Sequence, residues 1–304
     1  ITKQLQLASS SICGDCRELT EFHVNVNSRT PRRLWTASRD ARGQRRSRKT
    51  AGVPGVPPVL VRQLTLSDCF NPTVTGMRWP ERVREIAFGK QFDNSLSGVQ
   101  WPRTLAHVRF GCSFDQPLGR VEFPEGLESL AFGCGFNQPL AGDVGGVKWP
   151  ADLEYLKFGC RFNKTLEDTR LPRRLAVLKF CCLWDHSLVR VDLPESLQLL
   201  RLGDGFDQPL DGVRFPPSLA YVYLGDNFDH PLHEVKWPAK LKALYLGDSF
   251  DYPLDTNEWP EGLESLFLGQ SFSEDLDSID VPASLTIHVV GGSSEDSEAV
   301  EWPF

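Results

Sequence analysis

Residues 101–122 read WPRTLAHVRFGCSFDQPLGRVE, and the same pattern returns along most of the chain. Aligned on the Trp-Pro pair, copies begin at positions 79, 101, 123, 149, 171, 193, 215, 237, 259 and 281, and a weaker copy begins at Pro57. All spacings are 22 residues except the one from Phe123, which is 26 because of a Gly-rich insertion in 141–146. A repeat of this length is typical of a solenoid, in which each unit contacts only its neighbours.

The consensus W-P-x-x-L-x-x-L-x-F/L-G-x-x-F-D/N-x-P-L-x-x-V-x defines columns one to twenty-two of each copy. Column two is Pro in all eleven copies, which predicts a rigid bend because proline has no N–H and a fixed φ. Columns five, eight and ten are apolar, as in Leu105, Val108 and Phe110. The L-x-x-L-x-L spacing predicts a short strand, with columns eight and ten on the same side of it.

Aromatic and turn residues also keep their columns. Column eleven is Gly in eight of ten copies, Ser67 and Cys181 being the exceptions, and glycine permits a turn that a β-carbon would hinder. Column fourteen is Phe in nine copies and Trp184 in the tenth, which predicts a stack of rings in the core. Column fifteen is Asp or Asn in nine copies, and such side chains commonly cap turns by accepting hydrogen bonds from nearby backbone N–H groups.

These patterns predict a mainly β, right-handed, leucine-rich-repeat-like solenoid with one parallel strand in each repeat. The outer segments are expected to be irregular or 3₁₀, without long helices, because no stretch of helical periodicity separates the strands. We divide the chain into a largely irregular basic arm and linker (1–56), a solenoid of about ten repeats (57–290) and an acidic tail or the start of a further repeat (291–304).

The F-[DN]-x-P-L segments, for example residues 114–118 and 136–140, follow an L-x-x-L-x-F-G motif. Together they resemble the FNIP repeat, a 22-residue leucine-rich-like repeat, over about residues 57–290. Leucine stands where that family often has isoleucine, which leaves the chemistry of the position unchanged. The resemblance implies a protein-interaction role, often beside other modules, with no activity of its own.

Charge divides the chain into two parts. Residues 1–56 carry eleven Lys and Arg against four Asp and Glu, a net +7, and the other 248 residues carry 22 basic against 36 acidic side chains, a net −14. The arm is therefore the part suited to an acidic partner or to nucleic acid, and a solvated tail or an Arg-rich transit-peptide-like segment are the alternatives. Its candidate contact residues are Arg32, Arg33, Arg45, Arg46, Arg48 and Lys49.

The two ends carry weaker signals. Cys13 and Cys16 form a lone C-x-x-C, which indicates two ordinary thiols or half of a zinc site. The last copy keeps Pro282 and Leu285 before it passes into a Ser-rich acidic stretch, and residues 300–304 read like the start of another copy. No apolar run is long enough for a membrane helix, and we expect an intracellular, cytoplasmic protein, an organellar address being the alternative.

Columns seven and nine alternate with the core columns and should lie on the concave strand face. Basic residues fill the middle of column nine, and aromatic residues its C-terminal third. Exposed Tyr and Arg are frequent in binding hot spots, although a flat sheet also favours such residues for cross-strand packing. The predicted partner-binding residues are Arg109, Tyr155, Lys157, Lys179, Arg201, Tyr221, Tyr223, Tyr245 and Phe267.

Column twelve contains a row of thiols and a row of carboxylates. Cys112, Cys134, Cys160 and Cys182 occupy it in consecutive copies and are interpreted as reduced thiols, with disulfides or a metal site as alternatives. Three aspartates follow in the same column, and three more follow in column fifteen. They raise the alternative of a calcium-binding β-roll, whose glycine pattern is missing. The aspartates are Asp204, Asp226, Asp248, Asp207, Asp229 and Asp251.

The histidines scatter over different columns, and neither a G-x-S-x-G motif nor a phosphate loop occurs in the sequence. We therefore predict a non-enzymatic scaffold, without cofactor or metal, that binds a protein through the strand face and uses the arm as a second anchor. Nucleic acid is an alternative partner for the arm only. The alternatives for the whole chain are a structural subunit of a large assembly and a β-helix enzyme acting on glycans through the aspartate rows.

Overall fold

The computed structural model describes residues 61–141, 146–254, 258–275 and 285–289, and the backbone of 22–26. Within these ranges twelve parallel strands form one sheet, and each strand pairs with the next one along the chain. The strands are β1 (Phe22–Val26), β2 (Val61–Leu66), β3 (Glu85–Ala87), β4 (His107–Arg109), β5 (Ser129–Ala131), β6 (Tyr155–Lys157), β7 (Val177–Lys179), β8 (Leu199–Arg201), β9 (Tyr221–Tyr223), β10 (Ala243–Tyr245), β11 (Ser265–Leu268) and β12 (Thr286–Val289). The predicted fold class, a parallel leucine-rich-repeat-like solenoid, is confirmed.

The pairing follows the repeat columns. Val108 pairs with Leu130, and Ser129 pairs with Tyr155 across the 26-residue copy, so the insertion leaves the register intact. The end of the array differs, because Thr286 pairs with Ser265 only 21 residues earlier. This register moves Leu285 from the predicted column five to column six. The last described coil is therefore one residue shorter than the 22-residue coils.

Strand β1 lies outside the repeat pattern. Asn25 pairs with Thr65, 40 residues later, so a segment of the predicted basic arm forms the first strand of the described sheet. The sequence pattern gave no sign of this strand, because its spacing to β2 does not match the repeat.

Three turns close most of the described coils, and each turn begins at a consensus residue: Pro in column two, Gly in column eleven and Leu in column eighteen. In the coil that begins at Trp101, the Pro102 carbonyl accepts from the Leu105 N–H at 3.1 Å, and the Leu118 carbonyl accepts from the Val121 N–H at 2.9 Å. The third turn joins the Gly111 carbonyl to the Phe114 N–H at 3.4 Å. Turns and extended backbone thus form the outer segments, and the part of the chain described above contains neither an α-helix nor a 3₁₀ segment.

Aromatic rings fill the interior as stacked ladders. Column fourteen forms one ladder, in which Phe114 lies 6.1 Å from Phe136, Phe136 lies 6.0 Å from Phe162, and Phe206 lies 6.1 Å from Phe228 (ring centroids). These side chains are at most 1% exposed. Burial of each such ring stabilises the fold by about 1.5–3 kcal/mol, and each ring pair adds about 0.5–1.5 kcal/mol. The predicted core spine is confirmed.

Column fifteen forms a polar ladder between coils. The Asp115 Oδ1 accepts the backbone N–H of Asn137 at 2.9 Å and the side-chain amide of Gln138 at 2.9 Å. The same contact joins Asp93 to the Asp115 N–H at 3.0 Å. These side chains accept backbone N–H groups, as expected. The N–H groups belong to the next coil, however, and not to the residue's own turn. Each of these side chains therefore fastens two coils together.

Neighbouring coils approach most closely at column eleven. A β-carbon at Gly225 would overlap with the backbone oxygen of Gly203, and Gly225 has a φ of +99°. The Gly203 and Gly247 residues have φ values of +86° and +82°. At these three glycines, both the lack of space and the left-handed backbone disfavour a residue with a β-carbon.

We predict that Gly225→Ala lowers the free energy of unfolding by about 3 kcal/mol, through steric overlap and backbone strain. The control is Gly119→Ala, because a β-carbon there has no atom within 4 Å, and it should change stability by less than about 0.5 kcal/mol. Urea unfolding followed by circular dichroism measures both. Equal effects of the two substitutions would contradict close packing at column eleven.

We predict that Asp115→Ala lowers the free energy of unfolding by about 1–3 kcal/mol, because the Asn137 N–H loses its acceptor in the next coil. Asp115→Asn keeps an acceptor oxygen at the same position and should restore most of that loss. The same urea assay compares the two variants. If asparagine were as destabilising as alanine, the inter-coil hydrogen bond would not be the source of the effect.

Candidate interaction surface

The strand face is the side of the sheet that columns seven and nine occupy, opposite to the core columns eight and ten. Register places the Lys157, Lys179 and Arg201 side chains on three successive strands of this face. Both lysines are half-buried, and the Arg109 side chain, farther along column nine, is 68% exposed and lies 3.8 Å from a Glu85 carboxylate oxygen. The basic row predicted for column nine is therefore brought together.

Two of the predicted contact residues are not exposed. Tyr223 is 3% exposed and Tyr245 is 4% exposed, so the expectation that these rings form an open aromatic patch is wrong. The two rings stack on each other at 4.3 Å, and the Arg201 guanidinium covers the outer side of Tyr223 at 4.4 Å. Flat side chains on adjacent short strands cover one another. The alternation of core and surface columns along a single strand does not reveal this covering.

The stack continues to the end of the described sheet. Tyr245 lies 6.3 Å from Phe267, and Phe267 lies 4.7 Å from the His288 ring. Phe267 is half-buried and His288 is exposed, so this ladder becomes accessible only at its C-terminal end. The cation–π contact of Arg201 closes it at the other end.

Column seven provides further accessible rings. Tyr155 and Tyr221 are both half-buried, and the Lys179 ammonium lies 5.8 Å above the Tyr155 ring. Burial raises the pKa of the Tyr155 phenol above its usual range. The accessible part of the strand face thus combines two lysines with two tyrosines around β6 to β9.

The Asp204, Asp226 and Asp248 carboxylates lie beside the buried tyrosine stack. The Tyr223 hydroxyl donates to Asp226 Oδ1 at 3.1 Å, and an Arg201 nitrogen lies 3.8 Å from Asp204 Oδ1. Loss of solvent raises the pKa of Asp226, and the Asp204 and Asp248 charges add to that rise. Sequence reasoning missed this coupling, although Tyr in column nine followed by Asp in column twelve was a visible signal.

The aspartates of column fifteen have a structural role instead. Asp207 Oδ1 accepts the Asp229 N–H at 3.2 Å and lies 3.2 Å from the His230 Nε2. Asp251 Oδ1 accepts the Ser273 N–H at 2.9 Å. The second aspartate row of the calcium alternative is thus engaged with the backbone of the next coil.

The thiols of column twelve form a chain of close contacts. The Sγ of Cys134 lies 3.7 Å from that of Cys112 and 3.8 Å from that of Cys160. Cys181, in column eleven, joins them, with its Sγ 3.0 Å from Cys160 and 3.3 Å from Cys182. All are free thiols, and burial raises the pKa of the Cys160 thiol well above its usual range.

The predicted arm residues (Arg32, Arg33, Arg45, Arg46, Arg48 and Lys49) and the Cys13–Cys16 pair lie outside the described residues. In the part of the chain that the structure describes, no helix is long and apolar enough to cross a membrane.

Comparison with known proteins defines the class of this protein as a leucine-rich-repeat-like solenoid. The crystal structure of CroV588, described as a novel circular LRR protein structure, is similar, with a TM-score of 0.69 and 34% sequence identity over 79% of this chain and 34% of that chain. This chain therefore corresponds to about a third of the length of that structure. No curated protein matches the sequence.

The repeats can also be assigned. A family model described as FNIP Repeat matches residues 184–227 and 228–271, which are four consecutive coils of the solenoid. These four coils are therefore FNIP repeats, as the sequence predicted. Solenoids of this class typically act as interaction scaffolds rather than as catalysts.

We predict that Asp226→Asn raises the thermal unfolding temperature at pH 7. Because the folded-state pKa of Asp226 lies above the unfolded value of 3.8, its ionised form is disfavoured by folding. That destabilisation is present above the folded pKa and disappears as the pH falls through it towards 3.8. The gain should therefore be largest at pH 7 and small near pH 4.

Exposed Asp211 provides the matched control, since Asp211→Asn makes the same chemical change outside the carboxylate row. Calorimetry at pH 7 and pH 4 compares both variants with the wild type. A loss of stability in Asp226→Asn at pH 7 would show that the charge stabilises the fold instead.

Proposed function

We propose that this protein is a non-catalytic scaffold that binds a protein partner through its strand face. The observation that supports it is the row of Lys157, Lys179 and Arg201 on adjacent strands, flanked by half-buried Tyr155 and Tyr221. Adjacent strands are about 4.8 Å apart, so the row offers regularly spaced cationic and aromatic groups along the sheet. Tyr and Arg are enriched among residues that dominate binding energy.

The charge of the row indicates the kind of partner. The chain outside residues 1–56 carries a net charge of −14, yet this part of the strand face is basic. A partner with a carboxylate-rich segment is attracted to the row and repelled by the rest of the body. Charge complementarity of this kind gives register and a fast association rate.

The basic arm would act as a second anchor. Its Arg-rich segment follows strand β1, which pairs with β2, so the segment is attached at the N-terminal end of the described sheet. Two weak contacts on one chain raise the overall affinity because the second one forms at a high effective concentration.

The aspartate rows support a structural role better than a catalytic one. Asp226 accepts the Tyr223 hydroxyl, and the column-fifteen aspartates accept backbone N–H groups of neighbouring coils. An enzyme acting on glycans would need two carboxylates free to act on a sugar. That alternative requires Asp226→Asn to abolish an activity while the fold stays intact.

A permanent subunit of a larger assembly is the second candidate, favoured by strand β12. It is the last strand of the described sheet, and its Val289 side chain is 61% exposed. An exposed apolar residue on this last described strand offers a contact for another chain. Size exclusion of native extract separates the two candidates. A scaffold that exchanges its partner elutes partly as the free protein, and a permanent subunit elutes only in a large peak.

We predict that the double variant Lys157→Glu, Lys179→Glu loses its partner in affinity capture from native extract, because an acidic segment is then repelled. Each charged contact at such an interface contributes on the order of 1–2 kcal/mol, so the loss of two contacts should lower the affinity by roughly 30–1000-fold. Quantitative mass spectrometry of the captured proteins is the measurement.

Exposed Arg103 and Arg173 both lie in column three, away from the strand face, and the double variant Arg103→Glu, Arg173→Glu is the charge-matched control. Capture that is lost with both variants would indicate a general charge effect, and capture that survives the double reversal would retire the strand-face proposal. Alanine at Tyr223 or Tyr245 is not suited to this test, because both rings are buried and their loss would disturb the fold.

A further inference from the structure

Cys160, Cys181 and Cys182 bring three sulfur atoms together at one point between two coils. Cys160 belongs to the coil that follows β6, and the two vicinal cysteines belong to the coil that follows β7. Their three Sγ atoms all lie within 4.8 Å of one another, and the three side chains are half-buried. Among the described residues, this is the one group of three or more His, Cys, Asp or Glu side chains close enough to share an ion.

The position of Cys181 creates this group. It stands in column eleven, which is glycine in most copies, so one coil presents two sulfurs instead of one. The Cys181 Sγ lies between the other two, 3.0 Å from Cys160 and 3.3 Å from Cys182. The repeat pattern alone would place one thiol per coil and would not form a cluster.

A shared tetrahedral cation requires sulfur separations somewhat longer than the 3.0 and 3.3 Å between these thiols, so the side chains rotate slightly apart when the ion binds. With metal–sulfur bonds of about 2.3 Å, two thiolates on a tetrahedral zinc ion lie about 3.8 Å apart. The Cys134 Sγ lies 3.8 Å from that of Cys160, so a fourth sulfur is adjacent to the group. Thiolates are soft ligands that select Zn²⁺ and Cu⁺ over hard cations such as Mg²⁺ or Ca²⁺.

We propose that Cys160, Cys181 and Cys182 bind a thiophilic d¹⁰ cation, Zn²⁺ or Cu⁺, between two coils of the solenoid. Each thiol that becomes a ligand releases its proton to solvent. For Zn²⁺ the fourth ligand is Cys134 or water, whereas Cu⁺ is satisfied by the three sulfurs. The ion links the two coils and so stabilises the middle of the array.

The test uses the full chain with Cys13→Ser and Cys16→Ser, so that the C-x-x-C pair does not contribute. The reduced protein is titrated under inert gas with Zn²⁺ alone, and separately with Cu⁺ alone, in competition with a chromophoric chelator. We expect one equivalent of ion per chain and a higher unfolding temperature in its presence. The ion that binds with the higher affinity is assigned to the site.

Two variants remove ligands with little risk to the fold. Cys181→Gly restores the residue that most copies have in column eleven, and Cys160→Ser is nearly isosteric. Loss of second-shell support alone weakens metal sites by about 10–100-fold, so loss of a ligand should weaken binding at least that much. Cys69→Ser and Cys112→Ser are the controls, because neither residue belongs to the group of three.

Three results would overturn the proposal. They are a titrated protein that binds neither ion, ion binding that Cys181→Gly leaves unchanged, and an equal loss of ion binding in the Cys69→Ser control. A fourth is a disulfide between two of the three cysteines in protein isolated without reductant, found by peptide mass spectrometry, because oxidised sulfurs do not bind the ion. Unfolding temperatures of the metal-free variants show that each one folds.

Discussion

The close approach of successive coils at column eleven is the constraint on which the rest of the structure depends. At Gly225 the backbone of one coil lies against the backbone of the coil before it, with no room for a β-carbon. This contact sets the separation between coils, and that separation lets the strands hydrogen-bond and the column-fourteen rings stack about 6 Å apart. The polar ladder of column fifteen also fastens the same coils together.

A fixed separation between coils also determines what the surface can be. Residues of one column lie side by side, so like side chains in adjacent copies form continuous rows along the array. Three cationic residues in adjacent copies become a basic row, and the charges of Asp204 and Asp248 add to the rise that burial causes in the pKa of Asp226. The same side-by-side placement stacks Tyr223 against Tyr245, and Tyr223 is buried as a result.

Departures from the repeat are informative for the same reason. Close packing favours glycine in column eleven, and most copies have it. Packing between coils therefore does not explain the presence of Cys181 in this column. Its thiol completes the sulfur group with Cys160 and Cys182, which a regular copy would not form. The metal proposal and the strand-face proposal rest on different residues, so a test of one does not decide the other.

The sequence by itself determined the fold, because equal copies with fixed apolar columns can bury those columns only by stacking. The ring spine at Phe114 and Phe136, the parallel strands and the lysine row were all predictable from the columns. Tertiary structure decided what lies between coils: the burial of Tyr223, the partner of each column-fifteen aspartate and the meeting of Cys181 with Cys160. It also decided the pairing of β1, because contacts between residues 40 positions apart follow no repeat. A column pattern fixes which residues are neighbours along the array, but the covering of one side chain by another depends on the separation and tilt of the coils, which only the folded chain sets.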